Sequence, residues 1–284
     1  FRQRGQINYA VAAGFEQAIE YIKDLHFSAE DIEYLRSLNT FTDKFLDYLK
    51  DLRFTGDIYS VREGEIVFPM EPIMIVRAPL IEAQLVETAL LTIISHQTLI
   101  ATKASRVTTA AGEGKVIEFG LRRAQGPDAG VYGSRASIIG GASATSNVLA
   151  AQMFDIAPKG THSHSWVLSF PTELDAFNAF ADIYPDSCLL LVDTYDTLRS
   201  GVPNAIKVFD RLKKEGHKPL GIRLDSGDLA YLSKKARKEL DSQKRATWTF
   251  SPTTKKVESK KLYNRRKSAH AWKDDFGMSA FCLF

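Results

Sequence analysis

Between residues 116 and 240 the chain alternates short apolar runs with stretches of helical period, and few architectures accept that pattern. Val116-Ile117-Glu118-Phe119, Trp166 to Phe170, Cys188 to Val192 and Leu220 to Leu224 read as strands. Ser134 to Phe154, Thr172 to Ile183, Val202 to Lys214 and Leu229 to Leu240 read as helices. Strands that alternate with helices pair in parallel through right-handed crossovers, so the expected class is α/β, an open sheet or a barrel.

Polar residues fall where such a fold would use them. Arg122 and Arg123 follow the first strand, and His162 and His164 precede or enter the second. Asp193 and Asp196 follow the third, and Arg223, Asp225 and Asp228 close the fourth. Groups at the carboxyl ends of parallel strands converge on one rim, as catalytic residues do in β/α barrels. The densest segment is Gly160-Thr-His-Ser-His-Ser-Trp166, which holds two imidazoles and three hydroxyls. Such residues in a Gly-led loop also serve simply to satisfy backbone groups at a turn.

The two arginines offer planar donor forks suited to phosphate or carboxylate, with surface salt-bridging as the plainer alternative. The Gly-rich stretch 133–141 precedes a helix start that can cradle a phosphate, but it contains neither GxxxxGK[ST] nor GxGxxG. Asp193 and Asp196 share their interval with Asp225 and Asp228. These carboxylates can orient Mg²⁺ through its waters, hold ribose hydroxyls, or cap the following helices. Capping is favoured for Asp228, and Asp225 beside Arg223 is read as positioning that arginine. A His162-x-His164 metal pair would want further histidines at later strand ends, where aspartates stand instead.

Upstream the pattern differs. Tyr9 to Leu25 reads as an amphipathic helix, Ser28 with Asp31 as a capping box opening a second, and Thr42 as the start of a third. Short β-prone runs between 54 and 77 predict a small, mostly antiparallel sheet. Leu80 to Ala104 predicts one or two helices ending near Gly112, with His96 in a structural role. The expected domains are 1–113 (α+β), 114–242 (first part of a barrel with the rim) and 243–284 (a basic tail, poorly ordered).

That tail carries ten Lys and Arg against three Asp and Glu, enough to turn an otherwise net acidic chain to +3 overall. The basicity is therefore local, and no nucleic-acid partner is expected. Two cysteines, Cys188 and Cys282, lie far apart and fit a reducing, cytoplasmic setting. No apolar run approaches bilayer-spanning length, so no membrane partner is expected. The chain begins with Phe1, which reads as the start of a fragment.

Four motifs together, Glu118-Phe-Gly-Leu-Arg-Arg-Ala-Gln-Gly-Pro-Asp128, Gly160 to Trp166, Asp193-Thr-Tyr-Asp196 and Ile222-Arg-Leu-Asp-Ser-Gly-Asp-Leu229, resemble the nicotinate phosphoribosyltransferase family in order and spacing. The likeness runs from about Tyr9 to Ser242. It implies an N-terminal α+β domain and a partial barrel of the type II phosphoribosyltransferase kind. It also implies that nicotinate and 5-phosphoribosyl 1-pyrophosphate (PRPP) yield nicotinate mononucleotide and pyrophosphate for NAD synthesis, with coupled ATP hydrolysis, Mg²⁺ (or Mn²⁺) and a homodimer. By the same resemblance His164 is transiently phosphorylated, with His162 in support. Thr161 and Arg223 contact nicotinate, Arg122 and Arg123 lie near the base or phosphoribosyl site, and Asp193 and Asp225 lie beside ribose or Mg²⁺-pyrophosphate, without a direct metal assignment.

The family's upstream aromatic nicotinate contact has no counterpart in this sequence, and residues 243–284 do not resemble the family. The expectation is that this tail derives from another reading frame or from non-homologous sequence, which leaves about half a barrel. Two alternatives accompany the enzyme reading: an inactive fragment that dimerises with or competes against full-length enzyme, and the nicotinamide or quinolinate branch.

Overall fold

The computed structural model describes residues 8–243 and 281–283. They divide into two compact units, 8–159 with 281–283, and 160–243. The change of character read from the sequence at 113/114 falls inside the first unit.

The first unit opens with β1 (Ala10–Val11), α1 (Phe15–Lys23), α2 (Ala29–Ser37) and α3 (Asp43–Lys50). The single helix predicted from Tyr9 to Leu25 is thus a short strand followed by a helix. Gly14, at φ 102°, makes the break, and β1 pairs antiparallel with β3 (Ile66–Val67). The capping box at α2 is present: Asp31 N–H donates to the Ser28 hydroxyl at 3.1 Å, and Ser28 N–H to the Asp31 carboxylate at 2.8 Å. Thr42 caps α3. β2 (Asp57–Ser60) pairs antiparallel with β4 (Met74–Arg77), as the alternating runs required.

Next comes α4, one continuous helix from Leu80 to Ala111. By length and composition it could cross a bilayer, which amends the expectation that no segment reaches that length. Its most apolar window is 39% buried, and one face packs in the core. Val86, Leu90 and Ile94 are buried with Phe15, Ala18 and Ile22 of α1. Its buried polar groups are satisfied by neighbours: Glu82 accepts from Thr55 N–H at 2.7 Å, and Thr102 Oγ1 accepts from Val11 N–H at 2.9 Å. His96 meets the Ala129 carbonyl at 3.2 Å, a structural role.

β5 (Val116–Glu118) is followed by α5 (Pro127–Ile139), β6 (Ala144–Thr145) and α6 (Val148–Phe154). The helical region predicted for 134–154 is therefore two helices flanking a strand. Gly140-Gly141 ends the first, with Gly141 at φ 99°, and Asn147 caps the second. β6 pairs parallel with β5, and β9 (Phe281–Leu283) lies parallel along the other edge of β5.

The second unit holds α7 (His164–Leu168), α8 (Glu173–Ile183), β7 (Leu189–Leu191), α9 (Val202–Lys214), β8 (Gly221–Arg223) and α10 (Leu229–Gln243). β7 and β8 pair in parallel. Phe177, Leu190, Val192, Val202, Phe209 and Leu212 form its core. The strand predicted for Trp166 to Phe170 is instead the helix α7. A three-residue apolar run carries no period that separates strand from helix. The deciding signal is Ser163, whose hydroxyl accepts from Trp166 N–H at 3.3 Å.

The reading of 243–284 as a poorly ordered tail lies outside the described residues, apart from the backbone of Gln243 and β9.

Candidate functional site

Five of the predicted site residues, Thr161, His164, Asp193, Arg223 and Asp225, lie in the second unit with His162 and Ser226, and Asp193 links His164 to Asp225 and Ser226. It stands two residues beyond the buried end of β7, and its side chain is 2% exposed. One carboxylate oxygen accepts from His164 Nε2 at 3.1 Å. The other accepts from Asp225 N–H at 2.9 Å and from the Ser226 hydroxyl at 2.6 Å. Burial pushes this carboxyl upward, but the three donors outweigh burial and hold it below the usual aspartate range. Asp193 is therefore ionised at neutral pH.

An ionised acceptor fixes its donor. His164 Nε2 carries the proton that faces Asp193, so the neutral ring has its lone pair on Nδ1. The side chain is 40% exposed, which leaves the ring open to a reactant. This is a carboxylate-oriented imidazole with a free nucleophilic nitrogen.

Arg223 at the end of β8 pairs with Asp225 at 3.0 Å, and both side chains are mostly buried. Thr161 donates its hydroxyl hydrogen to the Leu189 carbonyl. His162 is buried and stacks edge-on to Phe180, with centroids 4.8 Å apart. The remaining aspartates cap. Asp196 accepts from Leu198 and Arg199 N–H at the turn before α9, and Asp228 accepts from Tyr231 N–H at the start of α10.

Arg122 and Arg123 lie in the first unit, exposed, on a tight turn after β5. That turn is anchored by Glu118, a buried carboxylate without a role in the sequence reading. It accepts from Gly120 N–H, from Ser134 Oγ at 2.8 Å and from Thr145 Oγ1 at 2.7 Å. Ser226 was also missed, although it lies inside the Asp225-Ser-Gly-Asp228 motif. A hydroxyl between two acids is a readable signal for a carboxylate support.

Both oxygens of Asp193 are committed to protein donors and Asp225 faces Arg223. Among the described residues no group of three His, Cys, Asp or Glu side chains is placed to hold a metal.

The fold is the mixed α/β fold of solved nicotinate phosphoribosyltransferases. The human nicotinic acid phosphoribosyltransferase structure matches with a TM-score of 0.79 and 31% identity, over 85% of this chain and 59% of that one. A nicotinate-nucleotide pyrophosphorylase from Pyrococcus furiosus shares the fold at a TM-score of 0.67 and 24% identity, over 85% of this chain and 55% of that one. Residues 1–95 match the model of the nicotinate phosphoribosyltransferase (NAPRTase) N-terminal domain.

The chain is a homologue of nicotinate phosphoribosyltransferase. It is 54% identical to the Bacillus subtilis (strain 168) protein over 235 residues, 82% of this chain and 47% of that protein. It is 40% identical to the one from Dictyostelium discoideum over 271 residues, 81% of this chain and 46% of that protein. The chain thus spans about half the length of these relatives.

Asp193 also carries a pH signature. Its folded pKa is depressed, so its contribution to stability is present above the unfolded value of about 4 and is lost as pH falls through the folded value. Thermal melts should show Tm falling below about pH 4. Asp193→Asn should have a shallower acid limb, and identical limbs would contradict the assignment.

Proposed function

We propose that this chain carries the phosphoacceptor and part of the substrate rim of a nicotinate phosphoribosyltransferase. The reaction joins nicotinate to PRPP, giving nicotinate mononucleotide and pyrophosphate for NAD synthesis, with ATP hydrolysis coupled to turnover. The observation that supports it most is the His164–Asp193 contact at 3.1 Å, with Asp193 held by two further donors.

The chemistry follows from that pair. His164 Nδ1 attacks the γ-phosphorus of ATP, the bond to the ADP oxygen breaks, and ADP leaves. The imidazolium so formed keeps its Nε2 proton against Asp193, whose charge stabilises it. The phosphohistidine places negative charge beside Arg223 and Asp225 and reorganises that pair. Hydrolysis of the phosphohistidine restores the ring. Mg²⁺ would be carried by the polyphosphate substrates, where it would neutralise their charge.

Thr161 and Arg223 are assigned to nicotinate, with the Arg223 guanidinium suited to its carboxylate. Arg122 and Arg123 are assigned to the base or phosphoribosyl site. The strands β5 to β8 are read as the first part of a type II phosphoribosyltransferase barrel, in a cytoplasmic homodimer. A second reading rests on the span of about half the relatives' length: an inactive chain that dimerises with or competes against full-length enzyme.

The test is pyrophosphate release by the purified chain with MgATP and PRPP, and nicotinate, nicotinamide or quinolinate in parallel. Release with nicotinate, lost in His164→Ala, is the expected result. No release from folded protein, with inhibition of added full-length enzyme, would favour the second reading. Release with quinolinate or nicotinamide instead would overturn the substrate assignment.

A further inference from the structure

His162 lies two residues before the proposed phosphoacceptor, and the chemistry above leaves it unused. Its hydrogen bonds are unusual. Nε2 accepts the N–H of Leu191 at 3.1 Å, a buried N–H···N bond, and Nδ1 stands 3.4 Å from the Ser163 carbonyl. The neighbouring Thr161 hydroxyl donates to the Leu189 carbonyl.

Both partners belong to one edge of β7. Parallel strands turn alternate residues to opposite neighbours. Cys188 O and Val192 N face β8, bonding Leu220 N–H at 2.9 Å and the Arg223 carbonyl at 3.2 Å. Leu189 O and Leu191 N face the other edge, where Thr161 and His162 meet them. Two side chains thus fill the place of a neighbouring strand: one donor and one acceptor on adjacent residues, matching one carbonyl and one N–H on β7.

We infer that His162 is a positioning residue for His164: as a neutral, Nδ1-protonated ring it docks the 160–164 segment on β7 and sets His164 against Asp193, two residues beyond Leu191. This rests on the phosphoacceptor role proposed for His164. Only the neutral ring can serve, because a protonated Nε2 would face the Leu191 N–H donor to donor. Burial pushes the His162 pKa down and outweighs the opposing pull of the Ser163 carbonyl, and the Arg223 charge acts with burial to keep the ring neutral. Phe177 and Phe180 of α8 pack against the ring, at 5.9 Å and 4.8 Å between centroids.

The test separates this claim from the phosphoacceptor claim. In the isotope-labelled full chain, NMR should show an N–N coupling across the hydrogen bond from the Leu191 amide to His162 Nε2, and the Nδ1-H tautomer of His162. This readout needs neither ATP nor activity. His162→Leu removes the acceptor while keeping an apolar side chain. It should lower ATP-dependent phosphorylation of His164 about tenfold or more, as expected when a buried N–H is left unpaired beside the site. His162→Gln restores an acceptor and should recover most of that loss.

Absence of the coupling, or equal phosphorylation in wild type and folded His162→Leu, would overturn the inference. If His162→Leu does not fold, the coupling in the wild-type chain decides. A wild-type chain that shows the coupling yet takes up no phosphate would refute the phosphoacceptor role and, with it, this purpose for His162, while retaining the docking bond.

Discussion

Asp193→Asn should leave the chain folded but reduce ATP-dependent phosphorylation by at least about a hundredfold, the scale on which a mis-set imidazole tautomer acts. The amide has one acceptor where the carboxylate has two, and three donors face it. If the amide oxygen keeps Asp225 N–H and Ser226, its NH₂ group turns toward His164. The ring then presents the Nε2 lone pair to the amide and carries its proton on Nδ1, the nitrogen that should attack. The stability cost should be about 2 kcal/mol, from the charged acceptor replaced by a neutral one. Urea unfolding measures the second effect and phosphate incorporation the first. Unchanged phosphorylation in Asp193→Asn would remove Asp193 from the mechanism.

Gly201→Ala is expected to be the most damaging single methyl addition near the site. Gly201 ends the wide turn Thr197–Gly201 and abuts the backbone of Val192, the residue before Asp193. A methyl group there would overlap the Val192 carbonyl oxygen and stand 2.7 Å and 2.9 Å from its C and Cα. All three obstacles are backbone atoms, and Val192 is fully buried, so neither side can yield cheaply. The cost should reach about 3 kcal/mol, which lowers Tm by about 10 °C. Gly160→Ala is the control. A methyl there meets nothing, and the change should stay within about 0.5 kcal/mol. Equal Tm values for the two variants would contradict the packing described at Gly201.

The parts of the fold that announce themselves in the sequence are those with a strong local mechanism. Ser28 with Asp31 and Thr42 before Asp43 named their helix starts because capping chemistry is local. The antiparallel character of the β2–β4 pair is legible in the β-prone runs between 54 and 77. Where period was short, the reading failed. Ala10–Val11, Ala144–Thr145 and Trp166–Leu168 are too brief for periodicity, and tertiary pairing or a single cap decided each.

The site divides in the same way. Asp193, Asp225 and Arg223 stand out because strand ends collect polar groups, His164 stands out because its segment is dense in imidazoles and hydroxyls, and the capping role of Asp228 follows from its place before α10. Their connections were invisible, since a bond such as Ser226 to Asp193 spans 33 residues of chain. The buried Glu118 network under Arg122 and Arg123 was hidden for the same reason, with partners 16 and 27 residues away. His162 was set aside as support, and only the edge of β7 shows what it supports.

The central claim is that Asp193 prepares His164 Nδ1 to accept a phosphoryl group. The most direct measurement is peptide mapping of the full chain after incubation with MgATP, under alkaline conditions that preserve phosphohistidine. Acid-labile phosphate should appear on His164, attached through Nδ1, and be absent from His164→Ala. Phosphate found on His162 instead, or none on folded wild-type protein, would contradict it.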